Sequence, residues 1–261
     1  VEGGTGFDLA EKMANHARRF GLDILQQEVL SVTAGTGMHA VRLANGDAYQ
    51  AYCLILALGG TARKLNVPGE AEYFGSGVSY CAICDGFFFR DKTVAVVGGG
   101  DSAVEEAIHL ARLVKKVFLV HWRDTLRAGN ILQQRLRLEP KVEVLWDTVV
   151  REIKGDGRSV SALALENPRS GRKTDLAVDG VFIRVGYSPN NQLIPGQVRM
   201  NELGLVVTDE KCETSVPGIF AAGDLRQKYA NQIVVAAADG CIAALAAAHF
   251  VEEWKAGAPA A

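Results

Sequence analysis

The cysteines Cys81 and Cys84, followed directly by Asp85, form the segment of the sequence best suited to a chemical reaction. Two cysteines separated by two residues can close a small disulfide ring and exchange it with the dithiol of another molecule. A carboxylate beside the second sulfur can deliver or remove the proton that thiolate exchange requires. We therefore interpret Cys81, Cys84 and Asp85 as the candidate catalytic residues of a redox reaction.

A structural zinc site is the alternative interpretation of this pair. Such a site needs four ligands, commonly two pairs of cysteines. The other three cysteines, Cys53, Cys212 and Cys241, are isolated in the sequence and supply no second pair. We therefore expect redox chemistry and no metal. Because an odd number of scattered cysteines is atypical of a secreted disulfide scaffold, the pattern also favours a reducing cytoplasm.

A glycine-rich segment is the second candidate site. Residues 94–97 are apolar, and residues 98–103 read Gly-Gly-Gly-Asp-Ser-Ala, which contains the pattern Gly-x-Gly-x-x-Ala. Its first glycine allows a tight turn, its second lets the backbone approach a pyrophosphate, and the small alanine allows close packing of a helix on a strand. A glycine-rich turn without a ligand is the alternative. We predict a dinucleotide site, at the start of a helix that attracts phosphates, with contacts from Gly98, Gly100, Asp101, Ser102 and Ala103.

The segment after the next predicted strand bears on the choice between NAD and NADP. A carboxylate at that position would accept hydrogen bonds from the ribose 2′-hydroxyl of NAD. The chain instead has His121 and Trp122, then Arg123 and Arg127, two arginines that can hold a 2′-phosphate. Asp124 carries the opposite charge beside them. The segment favours NADP, and two solvated arginines in a loop are the alternative.

The elements that must position these residues follow from hydrophobic periodicity and turn signals. A helix is predicted from Asp8 to Phe20, ending at Gly21, and a hairpin is predicted with strands 38–43 and 48–52 around Asn45-Gly46. The apolar run 54–58 predicts a strand that is buried on both faces, as in a parallel sheet. Further strands are predicted at 93–97, 117–120, 142–145, 160–165, 175–178, 181–185 and 218–222, with helices at 102–113 and 232–254.

Composition narrows the classes of protein to which the chain can belong. Its 261 residues suffice for two modest domains or one large one, and 48% of them are apolar. A net charge of −2 gives no reason to expect nucleic acid or an anionic membrane as partner. The alanine-rich stretch 233–250 contains Asp239 and His249, so we expect a helix packed inside a soluble domain and no membrane span.

Three segments resemble the low-molecular-weight, bacterial-type thioredoxin reductases. They are residues 81–88, residues 94–107 with their Gly-Gly-Gly-Asp-Ser-Ala-Val-Glu-Glu-Ala run, and residues 218–224. The resemblance runs from Gly3 to the C-terminal helix, with the motifs in the same order. It implies an α/β fold with two Rossmann-like dinucleotide-binding domains, the second inserted into the first. Residues 1–62 and 188–261 would form the FAD domain, and residues 63–187 the NADPH domain with the cysteine pair.

The resemblance also implies an activity and the residues that perform it. Electrons would pass from NADPH through FAD and the cysteine pair to a thioredoxin-like protein, in a cytoplasmic homodimer. Cys84 would lie nearer the flavin, Cys81 would exchange with thioredoxin, and Asp85 would be the acid–base residue. His121, Arg123 and Arg127 would hold the nucleotide. The flavin side would be formed by Gly223, Asp224, Asn231, Gln232 and Ile233.

Several positions depart from the family pattern. Trp122 replaces the first arginine of the motif His-Arg-Arg-x-x-x-Arg, Leu58 replaces a threonine, and Asn231 replaces an arginine. The family's first strand, Gly-x-Gly-x-x-Gly loop and helix have no counterpart in the sequence, which implies poor FAD binding by the chain as given. Alternatives are a related reductase that draws electrons from NADH or ferredoxin or that serves a peroxiredoxin, and a non-catalytic nucleotide-binding redox sensor.

Overall fold

The computed structural model describes residues 6–257, which divide into two compact units. One unit contains the residues up to Gly59 and those from Asn191 onward, and the other is Gly60–Asn190. The strands are β1 (Val29–Thr33), β2 (His39–Leu43), β3 (Ala48–Ala51), β4 (Leu54–Leu56), β5 (Gly60–Ala62), β6 (Val78–Ser79), β7 (Thr93–Gly98), β8 (Lys116–Val120), β9 (Val142–Leu145), β10 (Val149–Gly155), β11 (Val160–Glu166), β12 (Lys173–Ala177), β13 (Gly180–Arg184), β14 (Tyr187–Pro189) and β15 (Ile219–Ala221). The helices are α1 (Gly6–Arg18), α2 (Ala82–Asp85), α3 (Asp101–Ala111), α4 (Asn130–Arg137) and α5 (Ile233–Lys255), with 3₁₀ turns at Gly86–Phe89 and Gly223–Leu225.

A five-stranded sheet in the order β6-β13-β7-β8-β9 forms the centre of the unit Gly60–Asn190. All of its pairings are parallel. Strand β7 lies between β13 and β8 and is covered on both faces, which explains why its sequence is an unbroken apolar run. Helix α3 connects β7 to β8 and buries Val104, Ala107 and Leu110 against the sheet. The predicted strand–glycine loop–helix–strand unit is confirmed.

The antiparallel sheet β10-β11-β12 covers the other side of the same unit. Its Ile153 and Leu163 belong to one buried cluster with Val97, Val181 and Ile183 of the parallel sheet. The packing of one sheet on the other, together with α3, places the cysteine pair and the glycine loop on a common rigid core.

The other unit contains the antiparallel sheet β1-β2-β3 and the parallel pair β15-β4. The predicted hairpin around Asn45-Gly46 is confirmed, and Gly46 adopts φ +93°, a conformation that glycine reaches without strain. Parallel pairing of β4 is also confirmed, but the expected burial of this strand on both faces is wrong. Ile55 is 41% exposed, because among the described residues β4 packs only its Leu56 side into a core.

Helix α5 is the one described helix that is long and apolar enough to cross a membrane, by length and composition alone. One stripe of the helix is buried, formed by Asp239, Ala243 and Ala247, and the two alanines belong to one core cluster with Phe220 of β15. Alanines occur on several faces of the helix, so the composition does not reveal which face packs. The carboxylate of Asp239 is buried in ion pairs, which are costly in hydrocarbon and argue against a bilayer placement.

Candidate active site

Cys81 and Cys84 form a disulfide with 5.3 Å between their Cα atoms. The single-turn helix α2 begins directly after Cys81, and the sulfur of Cys81 accepts a hydrogen bond from the N–H of Cys84 at 3.2 Å. Cys84 is exposed and Cys81 is half-buried. The predicted redox pair is therefore closed by one local turn and lies at the surface of its unit, where another disulfide can approach.

A buried hydroxyl group positions Asp85. Ser79, at the end of β6, donates from Oγ to Oδ2 of Asp85 at 2.6 Å. Oγ of Ser79 also accepts the N–H of Cys81 at 3.0 Å. Ser79 was missed in the sequence analysis, where a hydroxyl residue two positions before the first cysteine was the available signal.

Helix α3 supports the turn that carries the disulfide. Ala82 is buried, and a Cβ at Gly86 would lie 2.9 Å from Cδ2 of Leu110, so the turn packs closely on α3. Glu106 of α3 accepts the N–H of Ala82 at 3.3 Å. The helix that begins at the glycine loop therefore also holds the cysteine turn in place.

The glycine loop has the tight packing that its sequence predicts. A Cβ at Gly98 would lie 2.7 Å from the Cβ of Ala103, so both positions require the smallest side chains. A Cβ at Gly100 would meet nothing within 4 Å, which leaves its backbone open to an approaching phosphate. Gly99 was not among the predicted contacts, but a Cβ there would overlap the imidazole ring of His121.

A cavity of about 270 Å³ opens where β7, β8 and β13 end. Ligands of open α/β sheets bind at the carboxyl ends of the strands. The lining includes Gly98, Gly99, His121, Trp122, Arg127 and Arg184. Two cationic side chains and an open glycine loop fit an anionic dinucleotide at this position.

The other predicted nucleotide residues have separate contacts. Asp101 accepts the N–H of Gly129 at 2.7 Å and so ties the start of α4 to the start of α3, while Ser102 is exposed. The guanidinium of Arg123 stacks over the indole of Trp122, 4.2 Å from the ring centroid. His121 is buried with Nε2 2.9 Å from the carbonyl oxygen of Thr125, and burial lowers the pKa of its imidazole.

The negative charge of Asp124 is compensated by a residue distant in the sequence. Arg169, in the loop between β11 and β12, pairs with Asp124 at 3.0 Å and with Asp147 at 3.0 Å. The guanidinium of Arg169 lowers the pKa of the Asp124 carboxyl. Asp124 therefore leaves Arg123 and Arg127 available to a ligand.

The residues predicted for the flavin side lie between β15 and α5. Gly223 donates its N–H to Oδ2 of Asp239 at 3.1 Å, which joins the strand end to α5, and Asp224 pairs with Lys228 at 3.2 Å. Asn231 and Gln232 directly precede α5, which begins at Ile233, and the side chain of Gln232 makes no cap hydrogen bond.

The strand end at Gly223 lies against the first turns of α5, near Ala236, an arrangement that suits an anionic group of a cofactor. The only strand–glycine loop–helix unit in residues 6–257 is the one at Gly98–Ala103. No local sequence pattern predicts the buried network in which Asp239 pairs with Arg226 at 2.6 Å and with Lys228 at 3.2 Å. In the part of the chain that the structure describes, no group of three or more His, Cys, Asp or Glu side chains is placed to hold a metal ion.

Comparisons with known proteins agree with this geometry. Residues 8–240 match the family described as pyridine nucleotide-disulphide oxidoreductase. The chain is 44% identical to a thioredoxin reductase of Bacillus subtilis, over 95% of this chain and 78% of that protein. A thioredoxin reductase structure from Streptococcus pyogenes superposes with a TM-score of 0.91 at 44% identity, over 96% of this chain and 81% of that one. One from Giardia duodenalis gives 0.91 at 35% identity, over 95% and 82%.

The resemblance drawn from the sequence motifs is thereby confirmed, and so is the α/β fold with two dinucleotide-binding domains. The family uses FAD and a pyridine nucleotide. The chain therefore belongs to the pyridine nucleotide-disulphide oxidoreductases and, within them, to the thioredoxin reductases, which makes it a flavoprotein disulfide reductase.

Proposed function

We propose that the chain reduces the disulfide of a thioredoxin with electrons from NADPH, and that Cys81, Cys84 and Asp85 are its catalytic residues. The observation that carries the proposal is the surface disulfide Cys81–Cys84 next to a carboxylate fixed by Ser79. The nucleotide cavity lies in the same unit and shares α3 with the cysteine turn.

When bound, FAD and the pyridine nucleotide supply the two electrons that convert the Cys81–Cys84 disulfide to a dithiol. Asp85 accepts a proton from the dithiol, so that the sulfur of Cys81 attacks as a thiolate. A bond forms between Cys81 and one sulfur of the thioredoxin disulfide, whose S–S bond breaks. The second thioredoxin sulfur leaves as a thiolate and takes up a proton.

The sulfur of Cys84 completes the exchange. As a thiolate it attacks Sγ of Cys81, the mixed disulfide breaks, and the first thioredoxin sulfur leaves and is protonated. The Cys81–Cys84 disulfide is restored, and thioredoxin has gained two electrons and two protons. In this scheme Cys81 faces the protein substrate and Cys84 faces the flavin.

The two cofactors are assigned to different parts of the chain. Residues 63–187 hold the pyridine nucleotide, through the glycine loop and through His121, Arg123 and Arg127. Residues 1–62 and 188–261 contribute to the flavin side, with Gly223 and Asp224 toward the ribityl or phosphate region. Asn231 and Gln232, which precede α5, and Ile233, its first residue, lie toward the ring system.

NADPH is the proposed donor and NADH the second candidate. Arg127 lines the cavity, and pairing of Asp124 with Arg169 removes the nearest opposing charge. Trp122 works against a strict preference, because an indole offers no charge to a 2′-phosphate. A cavity that suits a dinucleotide disfavours a ferredoxin donor. The likeness to proteins named thioredoxin reductase favours thioredoxin reduction over a peroxiredoxin partner or a non-catalytic sensor. We further propose a cytoplasmic homodimer.

The test is NADPH-driven reduction of thioredoxin by the FAD-loaded holoenzyme, followed as thiols formed in thioredoxin. We expect many thiol pairs per enzyme molecule with the wild type and none with Cys81→Ser. A redox sensor would oxidise at most one nucleotide per chain and release no reduced thioredoxin. That outcome would replace the proposed enzyme with a binding protein.

A further inference from the structure

Arg184 lines the nucleotide cavity but belongs to none of the predicted sites. It is the last residue of β13 and lies opposite Gly98 in the parallel ladder, so its side chain begins beside the glycine loop. Its side chain is 30% exposed, and Nη2 donates to Oε1 of Glu106. Arg184 therefore connects the cavity to the interior of the unit.

Glu106 extends this connection to the cysteine turn. The Oε1 atom of Glu106 that accepts the hydrogen bond from Arg184 also accepts the N–H of Ala82, at 3.3 Å. Ala82 is the first residue of α2 and directly follows Cys81. The side chain of Glu106 is 8% exposed, and its Oε2 makes no hydrogen bond within the described residues. A single carboxylate oxygen thus joins a cavity-lining cation to the first peptide after the redox cysteine.

The energetics of a buried carboxylate make this link strong. A buried charge is tolerated only while it is paired, and removing one partner is strongly destabilising. The guanidinium carries five N–H donors, so Arg184 can bind an anionic ligand while it holds Glu106. A ligand that draws the guanidinium toward the cavity weakens its hold on Glu106 and alters the support of Ala82.

We propose that Arg184 binds the anionic part of the pyridine dinucleotide and, through Glu106, positions the cysteine turn, so that nucleotide affinity depends on the redox state of Cys81–Cys84. This inference rests on the proposed function, since it takes the cavity ligand to be the electron donor. Opening the disulfide removes the S–S constraint on the turn that contains Ala82, whose N–H Glu106 holds. Thermodynamic linkage makes the two effects equal. The factor by which the redox state changes the nucleotide dissociation constant is the factor by which nucleotide binding changes the dithiol–disulfide equilibrium.

Calorimetric titration of the full chain with NADP⁺ tests the proposal without turnover. The chain is titrated once with the disulfide closed and once after reduction by a phosphine. For the wild type we expect dissociation constants that differ by about fivefold or more between the two states. For Arg184→Ala we expect affinity to fall on the order of tenfold in the closed state and the ratio between states to approach one.

Two further variants separate the link from general charge effects. Arg127→Gln removes a cation of the same cavity that is not bonded to Glu106, so it should weaken binding equally in both states and keep the wild-type ratio. Glu106→Gln keeps an oxygen that can accept the N–H of Ala82 but removes the charge, so the ratio of dissociation constants between the two redox states should fall to about one. Arg184→Lys should restore part of the affinity lost in Arg184→Ala, because it keeps the charge.

The outcomes distinguish this inference from the proposed function. Wild-type affinity in Arg184→Ala, equal affinities of the wild type in its two redox states, or an unchanged ratio in both Arg184→Ala and Glu106→Gln would overturn the inference and leave the proposed donor intact. Absence of NADP⁺ binding by the wild type in either state would overturn both.

Discussion

The hydroxyl of Ser79 donates to Oδ2 of Asp85 over 2.6 Å while its oxygen accepts the N–H of Cys81. One buried side chain at the end of β6 therefore sets the position of the proposed acid–base group and of the first redox cysteine together. Since β6 is hydrogen-bonded to β13 of the central sheet, the core of the unit orients both groups.

Replacing Asp85 by asparagine should lower kcat for thioredoxin reduction on the order of 100-fold and leave KM for thioredoxin near its wild-type value. The amide keeps the shape of the side chain but neither accepts nor releases a proton near neutral pH. Steady-state kinetics with varied thioredoxin measures both constants. A change confined to KM would assign Asp85 to substrate binding and remove it from proton transfer.

Replacing Ser79 by alanine should also lower kcat, but by less than Asp85→Asn, because the carboxylate remains and loses only its anchor. The double variant should be no slower than Asp85→Asn alone, since both changes act on the same proton transfer. The kcat values of the wild type, the two single variants and the double variant complete this double-mutant cycle. Additive losses would mean that Ser79 acts independently of Asp85.

The glycine loop offers a matched pair of substitutions with opposite consequences. Gly99→Ala should destabilise the fold by about 1–3 kcal/mol, because its Cβ would overlap the ring of His121. Gly100→Ala should leave the free energy of unfolding nearly unchanged, since nothing lies within 4 Å, but should weaken nucleotide binding. Denaturant unfolding and nucleotide titration of both variants provide the measurement. Equal nucleotide affinity in Gly100→Ala and the wild type would place the pyrophosphate elsewhere.

Features that depend on neighbouring residues were predictable from the sequence. The unit β7–α3–β8, the small residues Gly98 and Ala103, and the hairpin at Asn45-Gly46 follow from periodicity and turn chemistry, which act over a few residues. The redox pair was predictable for the same reason, because its spacing alone allows the ring to close.

Features that depend on distant pairings were not predictable. Arg169 compensates Asp124 from a loop 45 positions away, and Arg184 meets Glu106 across 78 positions. No local pattern encodes such contacts, which the fold alone brings together. The wrong expectation about the burial of β4 has a related cause, since the apolar run around Ile55 does not itself indicate which elements cover it.

Replacing Trp122 by arginine should raise the preference for NADPH over NADH about tenfold or more, because a charge-assisted contact to the 2′-phosphate contributes about 1.5–3 kcal/mol. In the wild type the indole stacks with Arg123 and offers no charge. The ratio of kcat/KM for the two nucleotides gives the result. Trp122→Phe serves as the control, with the wild-type ratio expected. An unchanged ratio in Trp122→Arg would show that position 122 does not face the 2′-phosphate.

The buried imidazoles predict how stability depends on pH. Burial lowers the pKa of both His121 and His39, so the folded chain keeps them neutral below their ordinary value of about 6.5 while the unfolded chain becomes protonated. Their stabilising contribution is therefore complete above pH 6.5 and is lost as pH falls toward the folded values. His121→Gln should make the free energy of unfolding depend less steeply on pH between about pH 7.5 and about pH 5, measured by denaturant unfolding. A variant as steep as the wild type would show that His121 titrates normally in the folded state.

The most direct test of the central claim is covalent trapping of thioredoxin. Cys84 is the more exposed of the two sulfur-bearing residues in the closed disulfide, so exposure alone would make it the attacking residue. We assign the attack on the thioredoxin disulfide to Cys81. Cys84→Ser, mixed with a single-cysteine thioredoxin activated by 5-thio-2-nitrobenzoate, should therefore give a stable one-to-one complex whose disulfide maps to Cys81 by peptide mass spectrometry. Cys81→Ser should form the complex far more slowly. A complex that forms equally fast through Cys84, or through Cys241, would contradict the proposed exchange.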